Sequence, residues 1–284
     1  MRWQAYEVIL RLRSPLHSGW RKVGNLQMTR PYVTGRMLWG ALTMRLTRDQ
    51  ASGPATDSRE YQQVGEKVHD TLAFTYFYPA LRQDDSYLTF WPWEEENRFR
   101  YRFIGSYAST SLDSQGRSAA EGTLHEVEFL APRTKDTGEQ VYLKGYIFQR
   151  TDCTLNWREA LKMLQMGGER GYGWGLISLE GEPVEIKDGK LFGGMAFFDG
   201  SKERPYITIP AQKFLLAHTK AAMSIPVKGE IEPLVGREWR STDPKRPYAG
   251  QYVVFNDICY VPGSQVQQKS TFQVLNFGLW EFCP

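Results

Sequence analysis

The sequence predicts an α+β fold: a ferredoxin-like, RRM-type core with inserted loops over residues 1–182, and a β-rich extension or small second domain over 183–284. Three observations lead there. Segments of period-2 alternation are interrupted by two stretches of helical spacing, in the order strand, helix, strands, strand pair, helix, strand. A glycine-rich segment at 167–175 separates the second helix from the last of those strands. Beyond residue 183 the pattern holds further strand signals but no long helix.

Taken in order, residues 3–13 alternate, with Tyr6, Val8, Leu10 and Leu12 on one face and Glu7, Arg11 and Arg13 on the other. A polar loop from Ser14 to Thr34 follows. Leu38, Ala41, Leu42 and Leu46 then have helical spacing, with Thr34 as the cap, so a helix is expected over about 36–47. Gly40 inside it costs about 1 kcal/mol relative to alanine, which predicts a close-packing reason. Residues 50–70 read as loop or weak helix, 71–78 and 86–91 as strands, and the Gly-, Ser- and Ala-rich 105–122 as a loop. Residues 123–130 and 140–149 alternate and flank Asp136-Thr137-Gly138, which predicts a hairpin. Asn156 and Glu159 have capping-box spacing before Trp157, Ala160, Leu161 and Leu164, predicting a second helix over 156–166. A strand is expected at 175–181. Residues 205–217 read as a strand and short helix, 230–250 as a long loop, and 251–256 and 271–277 as strands.

Composition narrows the function classes. The chain has 284 residues, 41% hydrophobic and 24% charged, which is globular and not disordered. Three scattered cysteines form neither a disulfide framework nor a zinc site, and favour a reducing, intracellular setting. No apolar run approaches the roughly 18 residues of a membrane helix, and the start lacks a signal-peptide core. A cytoplasmic protein that binds no membrane is expected.

The net charge of +3 conceals an uneven distribution. Nine Arg or Lys occur from Arg2 to Arg48, opposed before Asp49 by Glu7 alone. Aromatics interleave with basic residues at Trp20-Arg21, Arg98-Phe99-Arg100-Tyr101-Arg102-Phe103, Trp157-Arg158 and Trp239-Arg240. Positive charge beside flat rings suits single-stranded nucleic acid, through phosphate attraction and base stacking.

Five glycines in the nine residues Gly167-Gly168-Glu169-Arg170-Gly171-Tyr172-Gly173-Trp174-Gly175 do not stabilise a helix or a strand. They allow a backbone with positive φ whose N–H groups can meet phosphate oxygens, with Arg170 adding charge and Tyr172 and Trp174 adding rings. Gly171 and Gly173 are flanked by large residues, so the close approach is expected at those two positions. No Walker loop and no dinucleotide fingerprint is present. A second segment joins Ser14-Pro15-Leu16-His17-Ser18-Gly19-Trp20-Arg21-Lys22 to a turn, Arg30 to Gly35, that opens a helix with Arg36 in its first turn.

Pro15-Leu16-His17-Ser18-Gly19, Pro31-x-x-x-Gly35-x-x-x-x-Gly40-Ala41-Leu42 and Gly167-Gly168-x-x-Gly171-x-Gly173-x-Gly175 together resemble the RAMP superfamily of CRISPR-associated proteins over about residues 3–182. His125-Glu126-Val127-Glu128-Phe129 lies where that superfamily has a similar strand. The resemblance implies an RRM-like core that binds CRISPR guide RNA within an effector complex, beside backbone RAMP subunits and in reach of target RNA or DNA. Residues 14–34 hold no Asp or Glu, which counts against the target cleavage of some Cas seven type backbone subunits. The pattern is most similar to the Cas five type, the non-catalytic cap that grips the 5′ handle of the guide, as in type III-D or related class 1 systems. A repeat-cleaving Cas six type enzyme, a backbone subunit and a generic RRM-like RNA binder are the alternatives.

The expected RNA-binding residues are His17, Ser18, Gly19, Trp20, Arg21, Lys22, Arg30, Arg36, Gly167, Gly168, Arg170, Gly171, Tyr172, Gly173, Trp174 and Gly175. Arg21, Lys22, Arg30, Arg36 and Arg170 would form one phosphate track. No catalytic residue, metal ligand or cofactor is expected. Were the chain an enzyme, His17 with Lys22 would be the acid–base pair of a metal-free ribonuclease. His69, His125 and His218 have no partner visible in sequence. Asp84-Asp85 reads as a solvated turn, and Glu94-Glu95-Glu96 as a solvated face or loop.

Overall fold

A computed structural model describes residues 2–51, 53–113, 118–222, 224–238 and 252–284 of the chain. The fold is α+β, with strands in the majority and four α-helices among the described residues. Trp239-Arg240 and parts of the expected loops at 105–122 and 230–250 lie outside the described residues.

The first strand, Trp3–Leu12, lies at the centre of an antiparallel sheet. Leu176–Leu179 pairs with one edge of it and Tyr142–Arg150 with the other. Leu72–Phe74 and Tyr78–Gln83 both pair with the far side of Tyr142–Arg150, and Ser86–Thr89 closes that end. Asp84 and Asp85 form the turn between the last two strands, with Asp84 at φ +50°.

Alternation sends the two faces of this sheet into two cores. Val8, Leu10, Leu12, Phe74, Leu143 and Ile147 face the helices. Trp3, Ala5, Tyr76, Tyr78, Tyr146 and Phe148 face the C-terminal strands. The helix Gly35–Gln50 packs Leu38, Ala41, Leu42 and Leu46 inward, and Thr34 caps it by accepting from the Met37 N–H at 3.3 Å. Gly40 has no packing reason: a Cβ there would meet nothing within 4 Å. The close approach is instead at Gly65 of the next helix, Ser58–Thr71, whose backbone lies against the Trp39 ring. Asp57 caps this second helix, and Val64 and Val68 anchor it. The helix expected over 156–166 spans only Trp157–Leu161, and Asn156 makes no side-chain cap.

A second sheet covers the opposite face. Its order is Lys190–Leu191, Ala196–Asp199, Tyr206–Ile209, Ser270–Val274, Trp280–Cys283, Thr219–Lys220, Tyr252–Tyr260 and Ile231–Glu238. Leu191, Ile207, Ile209, Phe272, Val274 and Trp280 fill the space between the sheets. The stretch read as a loop from residue 230 thus begins as a strand, and no helix forms between Ile209 and Thr219.

The expected hairpin of 123–130 with 140–149 is not formed. The chain does reverse around Gly138, where Arg133 bridges to Gln140, but the two arms enter different sheets. His125–Leu130 joins a four-stranded sheet, antiparallel to Ile104–Ser109 and parallel to Leu26–Thr29, with Gly19–Val23 outermost. Alternation identified both strands; the partners of His125–Leu130 come from the supposed loops at 14–34 and 105–122.

Candidate nucleic-acid interface

The two segments singled out in sequence are hydrogen-bonded to each other. The Gly168 N–H donates to the His17 carbonyl at 3.0 Å, the Gly175 N–H to the Pro15 carbonyl at 2.7 Å, and the Leu176 N–H to Ser14 Oγ at 2.9 Å. The Met166 N–H in turn donates to the Gly175 carbonyl at 2.9 Å. Gln165 Nε2 holds the loop from within by donating to the carbonyls of Arg170 and Trp174.

This pairing sets which glycines are obligatory. Gly167, Gly173 and Gly175 have φ between +78° and +84°. A Cβ on Gly175 would overlap the Met166 carbonyl oxygen, and one on Gly167 would lie 2.5 Å from the His17 carbonyl oxygen. Gly168 packs on the His17 ring. At Gly171 and Gly173 a Cβ would meet nothing within 4 Å, and Gly171 is not left-handed. The close approach expected at those two positions is therefore made at Gly167, Gly168 and Gly175, against the chain's own first loop. Gly171 and Gly173 face open space.

The side chains divide into presented and enclosed groups. Tyr172 is 79% exposed at the loop tip beside exposed Arg170, whose Nη1 lies 3.3 Å from Met44 Sδ. Trp174 is half-buried edge-to-face against Phe129, with centroids 5.0 Å apart. Gly19, Arg21 and Lys22 are exposed on the first loop, and the Arg21 guanidinium rests 4.0 Å from the centroid of the Trp20 ring. His17 and Ser18 are buried. His17 Nδ1 donates to the Glu128 carbonyl at 2.7 Å, which fixes the ring, and the Ser18 N–H donates to Thr29 Oγ1.

Arg30 and Arg36 do not join the track. Arg30 is buried and pairs with Glu232 at 2.6 Å, and Arg36 pairs with Glu238 at 3.1 Å and lies over the Phe277 ring. His218 is fully buried; its Nε2 donates to Glu232 Oε1 at 2.6 Å, and the Tyr76 hydroxyl donates to its Nδ1 at 2.7 Å. Trp20 Nε1 donates to the other Glu232 oxygen at 2.9 Å. Burial pushes the Glu232 carboxyl up, but the bond from His218 and the Arg30 charge outweigh it and hold the group at about 2. Burial pushes His218 down, so the imidazole stays neutral. None of these acids was identifiable in sequence, because each lies some 200 positions from its arginine. His125, also unpartnered in sequence, bonds Ser109 Oγ through Nε2 at 2.9 Å.

Among the described residues, no group of three His, Cys, Asp or Glu side chains is placed to hold a metal ion. Among those residues, too, no helix is long and apolar enough to cross a membrane.

No protein-family model matches the chain, and a search of curated proteins returns no match. Among solved structures, the chain is similar to one in the cryo-EM structure of the type III-B Cmr-beta bound to cognate target RNA and AMPPnP, state 1. The TM-score is 0.51 at 15% identity, over 93% of this chain and 86% of that one. A chain in the cryo-EM structure of the type III-B Cmr-beta bound to cognate target RNA is matched over 62% of this chain and 96% of its own, at 10% identity and a TM-score of 0.41. At 15% identity, the first of these likenesses is one of fold.

Proposed function

We propose that this chain is a non-catalytic RNA-binding subunit of a class 1 CRISPR effector complex, of the Cas five type, that caps the complex by gripping the 5′ handle of the guide. The observation that carries the reading is the backbone pairing of the glycine-rich loop with the first loop. Both paired loops carry exposed groups, Arg170 and Tyr172 on one and Arg21 and Lys22 on the other, and in this reading they form one surface of phosphate attraction beside a stacking ring. The fold likeness to a chain of a type III-B assembly holding target RNA supports the same class of complex. The strand order Leu176–Leu179, Trp3–Leu12, Tyr142–Arg150, Leu72–Phe74 supports a ferredoxin-like core. A helix follows the first strand, and the short Trp157–Leu161 helix precedes the last.

The partners in this reading are guide RNA, backbone RAMP subunits and, through the complex, target RNA or DNA, in the cytoplasm. A non-catalytic role is supported by His17, whose ring is buried, tied to the Glu128 carbonyl and packed on Gly168. The test is co-expression with a class 1 CRISPR array and backbone subunits, followed by native mass spectrometry and a denaturing gel. One copy per guide-containing particle and uncut repeat RNA are expected. Several copies per particle, or cleavage abolished by His17→Ala, would overturn the reading.

A further inference from the structure

The basic-aromatic run Arg98 to Phe103 takes no part in the surface above. It folds as the helix Glu96–Phe103, and helical spacing sorts its residues. Phe99 and Phe103, four apart, enter the core. Arg98 pairs with Glu95 and Arg102 with Asp136. Arg100 and Tyr101 remain, and both line a hollow of about 280 Å³ with Gly105, Ser106, Glu128 and Lys135.

The chemistry of this hollow is specific. Tyr101 is 64% exposed, and the Lys135 ammonium lies 5.6 Å from its ring centroid, with no ion pair among the described residues. Arg100 donates to Glu128 Oε1 at 2.6 Å, which neutralises one cation and fixes the guanidinium. The other Glu128 oxygen accepts from the Thr29 N–H at 3.1 Å, so this acid is satisfied within the protein. Ile104–Ser109 is the edge strand of its sheet, which leaves backbone N–H groups outside the ladder. The hollow also adjoins the first loop, because the Glu128 carbonyl is the acceptor of His17.

We propose that this hollow holds one nucleotide of a single-stranded RNA, its base against Tyr101 and its phosphate on Lys135 and the unused donors of Arg100. The inference rests on the RNA-binding reading above and extends the RNA path around the four-stranded sheet. A ring with an unpaired ammonium at its side suits a base with its phosphate, and Ser106 offers a hydroxyl to a base edge or ribose.

The test uses the full chain and a fluorescein-labelled RNA of random sequence, about 12 nucleotides long, within the usual site size for such proteins. Tyr101→Ala should weaken binding about 5- to 100-fold, and Tyr101→Phe should keep it. Lys135→Ala should weaken binding and flatten the salt slope by about 0.7. Both side chains are exposed, so thermal melting should not move. Photo-crosslinking of 4-thiouridine RNA should map to the peptide around Tyr101. If Tyr101→Ala and Lys135→Ala bind as wild type while Arg170→Ala and Tyr172→Ala do not, the hollow is not an RNA site and the wider reading stands. An acidic protein partner filling the hollow would give that same result. If wild type binds no RNA at all, both inferences fall.

Discussion

Replacing Gly175 by alanine tests the pairing of the two loops most directly. The residue has φ +78°, which costs an alanine about 1–2 kcal/mol. The new methyl group would overlap the Met166 carbonyl oxygen, so the turn must open. Opening it breaks the bonds from Met166 N–H to the Gly175 carbonyl and from Gly175 N–H to the Pro15 carbonyl. At about 1 kcal/mol each, these bring the loss to about 3–4 kcal/mol. For a chain of this size that lowers the melting temperature by about 5–7 °C. The opened turn also releases Arg170 and Tyr172 from the first loop, so RNA affinity should fall by about tenfold or more even well below the melt. Gly171→Ala is the control: its Cβ enters open space at an ordinary φ, and both melt and affinity should stay at wild-type values. Differential scanning fluorimetry and fluorescence anisotropy with single-stranded RNA read the two quantities. A Gly175→Ala protein that melts within about 2 °C of wild type would refute the reasoning, since no 3 kcal/mol loss is that small. So would a Gly171→Ala protein equally damaged.

Three further outcomes follow from the placement of charge and rings. With Arg30 and Arg36 held by Glu232 and Glu238, the exposed cations proposed to meet phosphate are Arg21, Lys22, Arg170 and Lys135; log affinity against log salt should have a slope of about −3, and a slope of about −4 would mean that the enclosed arginines reach phosphate. Tyr172→Ala should cost about 1–3 kcal/mol of RNA binding with an unchanged melt, whereas Trp174→Ala, which removes the ring packed on Phe129, should lower the melt; the reverse pattern would exchange their roles. Burial, with Arg204 and Arg36 nearby, pushes His69 down to about 4, so the unfolded chain binds a proton below about pH 6.5 that the folded one refuses. Stability should therefore fall between pH 6.5 and 4, by about 3 kcal/mol in order of magnitude, and urea unfolding of His69→Phe should show a shallower decline than wild type if this group is responsible.

Sequence reading succeeded where the signal is local. The face Tyr6-Val8-Leu10-Leu12, the Thr34 cap and the strand after Gly175 are set by neighbours within a few residues, and all are present. Alternation also marked His125–Leu130 as a strand, but pairing is decided by residues far away, so the expected hairpin failed. The helix Ser58–Thr71 was obscured by a polar sequence in which Val64 and Val68 are the main apolar anchors. In the candidate site, glycine density correctly pointed to an unusual backbone. It did not tell which glycines meet the protein and which face solvent, because that depends on the His17 and Pro15 carbonyls. Arg30 and Arg36 looked available because a cation's counter-ion is invisible when it lies on a strand of the last third.

The two-core arrangement has a consequence for how the chain is made. Trp3, Tyr76, Tyr78, Tyr146 and Phe148 are covered by strands that begin only near Lys190 and end at Cys283. During synthesis, the first sheet can close its helix-side core as soon as Leu176–Leu179 leaves the ribosome, while its other side is still a wide aromatic surface with Arg30 and Arg36 unpaired. Roughly the last hundred residues must emerge before that surface is sheltered. The nascent protein thus passes through an interval in which it is sticky, positively charged and already partly structured. At about 5–20 residues per second this interval lasts on the order of 5–20 s, time enough for a chaperone or a stray nucleic acid to find it first.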